Sequence, residues 1–479
     1  MGKTSAFQGF FTFMNFTDFG FWPRFLICLA LVWIFKGTAS FLKKDLPGWF
    51  DRVVLASISL YLLASVGALT FGIFLLLASL AYVGILLISV IPKDKRWLFL
   101  SFYIPILLIP LIYYKYHSFV AEEILGWSKD TFNAILIPAG ISFYTFQKIA
   151  ILVDAARLDF YRPKLLDFAN FASFFPQVVA GPIERKEELM PQMERFRFTC
   201  TWDNLNAAAP WLALGFFYKL CLADNLSPFI NRDDMASAWP ILFTTFLFGL
   251  KIYFDFCGYS LIALGLARLL GVTLTLNFRS PYLSANIRDF WRRWHVSLSY
   301  WFRDYVYIPL GGSRTRYWWA GLLLVFLLSG IWHGAGWCFL LWGALHGIYC
   351  VVSHVTKDHI RLPSPVGWAI TMVLVFAAWL PFYETRWPVL SHKIAILCSS
   401  SSYSGSLLRQ YAMSFDSWHY LPITLLIILS LATFTAEALC SRKKDHYGYA
   451  NHPVAIIILI TLTVWFGSTK GNDFIYFSF

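Results

Sequence analysis

Two side chains far apart in the sequence carry the residue types needed to move a group onto a hydroxyl. One is Tyr476, in the terminal run Phe474-Ile475-Tyr476-Phe477-Ser478-Phe479, and the other is His333, inside the apolar stretch Ile331-Trp332-His333-Gly334-Ala335. A phenol with an ordinary pKa of about 10 is a poor nucleophile near neutrality, and an imidazole with a pKa of about 6.5 is well suited to take its proton. The pair reads as acceptor and general base. Ser478 is a weaker acceptor, and the aromatics of the run also suit a simple headgroup anchor.

Ionisable residues in apolar surroundings are costly and mark a pair, a pathway or a site. Lys148, Asp154, Glu184, Lys219, Lys251, Asp255, His295, His333 and His346 all stand in such surroundings. Lys251 and Asp255, four apart, read as a structural ion pair, and His346 as a hydrogen-bonded packing residue. His333 has no acid or base within helical reach, which favours chemistry; His295 stays open between chemistry and packing. No His/Cys cluster has metal-ligand spacing, so no metal is expected. Buried His, Asp and Lys residues also build relays, so a transporter of protons or of an acyl donor is the competing reading.

The densest polar sequence runs from Asn277 to Tyr305 and includes Arg288-Asp289-Phe290-Trp291-Arg292-Arg293-Trp294-His295. Helical spacing puts Trp291, Trp294, Leu298, Trp301 and Tyr305 near one face and Arg288, Arg292 and Ser299 near another. An interfacial helix, with Trp and Tyr among headgroups and Arg near anionic lipid, explains the pattern. So does a cytoplasmic mouth at which Arg288, Arg292 and Arg293 take the phosphates of a nucleotide or phosphopantetheine donor.

The elements that must position these residues are membrane helices. With 58% hydrophobic and 14% charged residues over 479 positions, the chain has too little polar surface for a soluble globule. Apolar segments near 20–36, 53–91 (long enough for two), 97–114, 131–153, 207–223, 239–271, 318–352, 366–383, 419–439 and 453–467 predict an all-α integral membrane protein of about ten to twelve transmembrane or re-entrant helices. We read one membrane domain over 1–479, with a cytoplasmic amphipathic cap at 279–316 and an extracytoplasmic tail at 468–479. A cleavable signal is not expected, because Lys36, Lys43 and Lys44 follow the first span. Eight scattered cysteines without a C-x-x-C pair argue against a disulfide framework.

The net charge of +12 sits in short loops between spans, which reads as topology and not as a nucleic-acid partner. Lys43/Lys44, Lys93/Lys95/Arg96, the cap, Lys357/Arg361 and Arg442/Lys443/Lys444 go to the cytoplasm. Tyr476 then emerges outside, as does the Ser-rich 399–406, expected to be a flexible loop. Basic loops flank 318–352 on both sides, so that segment enters and leaves by one face. Each limb has about 15 residues, or ~22 Å at 1.5 Å per residue, short of a hydrocarbon core of ~30 Å. His333, at the turn, is expected at membrane depth.

Asp289-Phe290-Trp291-Arg292-Arg293-Trp294-His295, Arg303-Asp304-Tyr305, Tyr307-Ile308-Pro309-Leu310-Gly311-Gly312 and Trp332-His333-Gly334-Ala335 together resemble the bacterial branch of the membrane-bound O-acyltransferases, which includes alginate and peptidoglycan O-acetyltransferases and the teichoic-acid D-alanyl transferase. Gly140-Ile141-Ser142-Phe143-Tyr144-Thr145-Phe146-Gln147 and Phe175-Pro176-Gln177-Val178-Val179-Ala180-Gly181-Pro182-Ile183 add to the resemblance, which runs from about 100 to 385 with a weaker match at the tail. It implies a ring of helices around a central tunnel in the bacterial inner membrane, with an acyl thioester, acetyl-CoA, entering from the cytoplasm. By motif, His333 is the catalytic histidine and His295 a second histidine near the entrance. The tail in the same chain favours acetylation over D-alanylation. It implies acetyl transfer through Tyr476 to an extracytoplasmic SGNH-type partner and a polysaccharide acceptor, peptidoglycan first and alginate or another exopolysaccharide next, with membrane lipids around the chain.

Overall fold

The computed structural model describes residues 16–18, 20–127, 136–158, 161–199, 201–230, 235–356, 362–415, 417–441 and 445–468. These form helices and connecting turns, with no strand among the described residues. Among the described residues, eight helices are long and apolar enough to cross a membrane: Phe21–Phe41, Ala68–Val90, Lys93–Ile124, Trp202–Ile230, Ala238–Leu269, Trp337–Val355, Ser364–Tyr383 and Tyr420–Ser441. Three more, Trp318–His333, Trp387–Cys398 and Pro453–Phe466, are apolar but shorter. Leu31 and Ile34 on the first helix are 61% and 66% exposed, a surface that only lipid suits.

The chain divides into two compact units, Met1–Ala208 with Ala263–Thr275, and Ala209–Ile262 with Leu276–Phe479. In the first, the segment 53–91 resolves into Phe50–Ala64 and Ala68–Val90, as its length requires. The span expected over 131–153 instead begins at Ile141. Gly140 precedes it in the left-handed region (φ 75°), and a Cβ there would lie 2.8 Å from the Val179 Cα. That close approach joins the 140–147 and 175–183 motifs. Lys148 is buried on this helix, where its Nζ donates to Gln147 Oε1 (2.7 Å) and the Ala172 carbonyl (2.9 Å) and lies 4.9 Å from the Phe74 ring centre. Glu184 is buried nearby in sequence, accepting from the Thr275 N–H (2.6 Å) and hydroxyl (3.1 Å). Burial pushes its carboxyl up from 4.5 to about 8, against those two hydrogen bonds, which pull it down.

The second unit has an aromatic core that includes the fully buried Trp294, Trp342, Trp379, Tyr218 and Tyr253. Glu437 is buried within it, accepting from the Tyr218 hydroxyl at 2.5 Å and the Tyr253 hydroxyl at 2.6 Å. Asp255, matched with Lys251 by sequence spacing, meets Lys219 Nζ at 2.8 Å, and Lys219 also meets Asp224 at 2.8 Å. Lys219 sits on a π-helical stretch, Phe217–Ala223, between the Trp202–Phe216 and Asp224–Ile230 helices. Residues 399–406 are not the flexible loop expected. Ser400–Tyr403 is a 3-10 turn, and the Ser404 hydroxyl accepts from the Leu407 N–H to cap the helix Gly405–Met413.

Candidate functional site

His333 is the last residue of Trp318–His333, and Trp337–Val355 runs back beside it. The two helices touch through glycine: a Cβ on Gly330 would strike the Phe339 carbonyl, and one on Gly343 the Phe326 carbonyl. Backbone contact of this kind leaves no slack in the register, so the turn is fixed where the helices fix it. The first limb, at 16 residues, is near the expected length; the second is 19 residues, longer than the hairpin arithmetic allowed.

The His333 ring is 2% exposed and is packed edge-on by Trp332 (4.9 Å between ring centres), Trp342 (5.0 Å) and Phe382 (5.2 Å). Trp342 touches His346 in turn, at 4.9 Å, and His346 lies 5.0 Å from Trp291. His346 was expected to be hydrogen-bonded, yet neither ring nitrogen has a hydrogen-bond partner among the described residues; rings hold it instead. His295 sits on the other side of Trp332, 6.1 Å between centres, with Phe256 at 4.7 Å. The rings thus form a series, His295, Trp332, His333, Trp342, His346 and Trp291.

The cap is not one amphipathic helix. It breaks at Trp294-His295 into Ile287–Arg293 and Val296–Phe302, with His295 itself left-handed at φ 44°. Asn277 accounts for the break: its carbonyl accepts from the Val296 N–H (2.9 Å) and its side-chain oxygen from the Ser297 N–H (3.1 Å). A non-glycine residue in this region costs of order 1 kcal/mol or more and persists where neighbours over-determine it. Burial pushes the His295 imidazole down to about 3, so it is neutral at working pH.

Beside the cap lies a cavity of about 330 Å³, whose lining includes Arg288, Trp291, Arg292, Ser299, Arg303 and Ser329. Three arginines face it and, among the described residues, no carboxylate side chain lines it. Arg303 is held by Asp304 (2.6 Å) and lies 4.4 Å over the Tyr300 ring; Arg288 and Arg292 make no ion pair among the described residues. Ser329 stands one helical turn before His333 on the same helix. Of the three arginines expected at the mouth, Arg288 and Arg292 meet here, whereas Arg293 is outside the lining and pairs with Asp289 at 2.9 Å. Sequence reading missed Arg303, Ser329, Cys350 and His354. For Cys350 and His354 the signal was their four-residue spacing on Trp337–Val355. Tyr476 and Ser478 lie outside the described residues, as do 357–361 and 442–444.

Residues 61–385 match the model for "MBOAT, membrane-bound O-acyltransferase family", a range that holds His295, His333 and the three arginines. The chain belongs to the membrane-bound O-acyltransferase family. This O-acyltransferase is 31% identical to the peptidoglycan O-acetyltransferase of Helicobacter pylori over 80% of its own length and 82% of that protein's. It is 35% identical to the Azotobacter vinelandii protein called "Probable alginate O-acetylase AlgI", over 66% of its length and 65% of the relative's. The teichoic acid D-alanyltransferase of Streptococcus thermophilus is similar at 28%, over 54% of this chain and 65% of that one. The protein is an acyltransferase enzyme with a polytopic fold of the bacterial inner membrane.

Proposed function

We propose that this O-acyltransferase takes an acetyl group from cytoplasmic acetyl-CoA and delivers it, through Tyr476, for O-acetylation of an extracytoplasmic polysaccharide, peptidoglycan before alginate. The observation that carries the reading is the arginine-lined cavity, without a carboxylate among the described residues, whose wall at Ser329 lies one helical turn from His333. Uncompensated guanidinium groups favour a phosphate-bearing ligand, which a thioester of phosphopantetheine or coenzyme A supplies. Arg288 and Arg292 are the donor-binding residues, with Arg303 beside them. Arg293, turned to Asp289, acts by supporting this helix. The 31% identity to a peptidoglycan O-acetyltransferase over most of both chains favours that acceptor.

In the reaction, the Tyr476 hydroxyl oxygen attacks the thioester carbonyl and its proton passes to His333. The C–S bond breaks, the sulfur leaves as the donor's thiol after taking that proton, and an acetyl ester stands on Tyr476. His295, neutral and fixed by Asn277, positions the donor side of the site. A partner transferase of the SGNH type then carries the acetyl group to a sugar hydroxyl and returns Tyr476 to its free form.

The test is intact-protein mass spectrometry after incubation with acetyl-CoA, with His333→Ala and Tyr476→Phe beside wild type. The expected result is one acetyl mass in wild type alone, mapped to the C-terminal peptide. An acetyl mass that survives Tyr476→Phe, or none in wild type, overturns the covalent step.

A further inference from the structure

The last described helix, Pro453–Phe466, does not end in open space. A helix leaves its last carbonyls without intrahelical donors, and here the Phe466 carbonyl accepts from Asn225 Nδ2 at 2.6 Å. The same amide group donates to the Cys221 carbonyl at 2.9 Å. Two residues on, the Ser468 N–H donates to the Leu220 carbonyl at 3.1 Å. Leu220 and Cys221 belong to the π-helical stretch Phe217–Ala223, a geometry often found at functional positions. Lys219, in the middle of that stretch, is buried between Asp224 and Asp255 at 2.8 Å each. The chain's departure point is therefore hydrogen-bonded to a turn that is itself tied into the core. Gly467 fits the same reading. A Cβ there would collide with the Thr463 carbonyl and come within 3.5 Å of the Leu220 Cβ.

Tyr476 stands eight residues beyond Ser468, a stretch that spans at most ~28 Å when fully extended. An acceptor tethered so briefly is presented to its site at an effective concentration set by where the tether starts. We propose that Asn225, with the Leu220 and Cys221 carbonyls, is a clamp that fixes this starting point, which makes Asn225 a positioning residue for the acyl acceptor. The proposal rests on the acyl-tyrosine reading above.

Two assays on full-length protein separate positioning from fold maintenance. In the first, acetyl-CoA is added and the rate of acetyl appearance on the Tyr476 peptide is followed by mass spectrometry in wild type, Asn225→Ala and Gly467→Ala. In the second, a synthetic peptide of residues 469–479 is offered in trans to Tyr476→Phe protein, with and without Asn225→Ala. The expected result is a fall of about tenfold or more in the tethered rate for both clamp variants, with the trans rate unchanged within about twofold. An unchanged tethered rate overturns the clamp. So does a parallel fall in both assays, which makes Asn225 a support of the fold. Absence of acetyl on Tyr476 in wild type overturns the acyl-tyrosine reading itself, and the clamp with it.

Discussion

Two places in the second unit handle positive charge in opposite ways. Lys219 is about 1% exposed and lies between Asp224 and Asp255, so its charge is compensated twice over and tied to a particular turn. Arg288 and Arg292 line a cavity without a carboxylate and make no ion pair among the described residues. A compensated buried cation is a structural part, and removing it strands its partners. An uncompensated pair of guanidinium groups on a cavity wall is a standing invitation to an anion. The difference shows that a membrane protein's cations have to be sorted by burial and by partners before any is read as functional: Lys219 is buried, Arg288 partly so and Arg292 exposed.

His333 stands one helical turn beyond Ser329 of the cavity wall and is itself outside the lining. His333→Ala is expected to reduce acetyl transfer about 10²- to 10⁴-fold, the range for losing a general base, with a drop in the thermal unfolding midpoint that reflects only the cavity left among Trp332, Trp342 and Phe382. Lys219→Met inverts that pattern. Leaving Asp224 and Asp255 buried without their cation is expected to cost about 3–5 kcal/mol of stability, seen as a lowered midpoint in tryptophan-monitored melting. A Lys219→Met protein as stable as wild type would erase the contrast.

Arg288→Ala and Arg292→Ala test the other side. Each is expected to raise the KM for acetyl-CoA about 10- to 100-fold, the scale of a charge-assisted hydrogen bond of ~1.5–3 kcal/mol, with the melting midpoint unmoved. Arg293→Ala should leave that KM within a few-fold of wild type, because its partner is Asp289. Equal effects at all three arginines would dissolve the distinction drawn from the cavity.

A pH-dependent effect belongs to the first unit. Glu184 holds its proton up to about 8 in the folded protein, against a reference value of 4.5. Between those values the folded state binds the proton and the unfolded state does not, so stability falls as pH rises through that window and levels off above it. Melting curves of wild type between pH 5 and 9 should show the slope, and Glu184→Gln should flatten it. A slope that is unchanged in the variant assigns the titration elsewhere.

Much of the fold was legible because membrane spans announce themselves by length and apolarity alone. Helix Ser364–Tyr383, for instance, lies within two residues of its expected limits, 366–383. His333 stood out in the sequence for a related reason, since a lone histidine in an apolar run has no local explanation, and the structure places it buried at the end of its helix. The break at His295 was not, since it depends on Asn277 reaching across a loop to bond the chain beyond it. The pairing of Asp255 with Lys219 was hidden in the same way, because two different helices bring them together. Arg293 is another matter. Its four-residue spacing from Asp289 was visible in the sequence and separates it from Arg288 and Arg292.

The hairpin around His333 has a consequence for how the protein is made. At 16 residues, Trp318–His333 is ~24 Å long, too short to span a hydrocarbon core of ~30 Å by itself. Its glycine contacts with Trp337–Val355 need both limbs present. The translocation machinery therefore has to release the two limbs into the bilayer as a pair, and a substitution that pries them apart would be read during biosynthesis as a failure of insertion before it could register as a loss of catalysis.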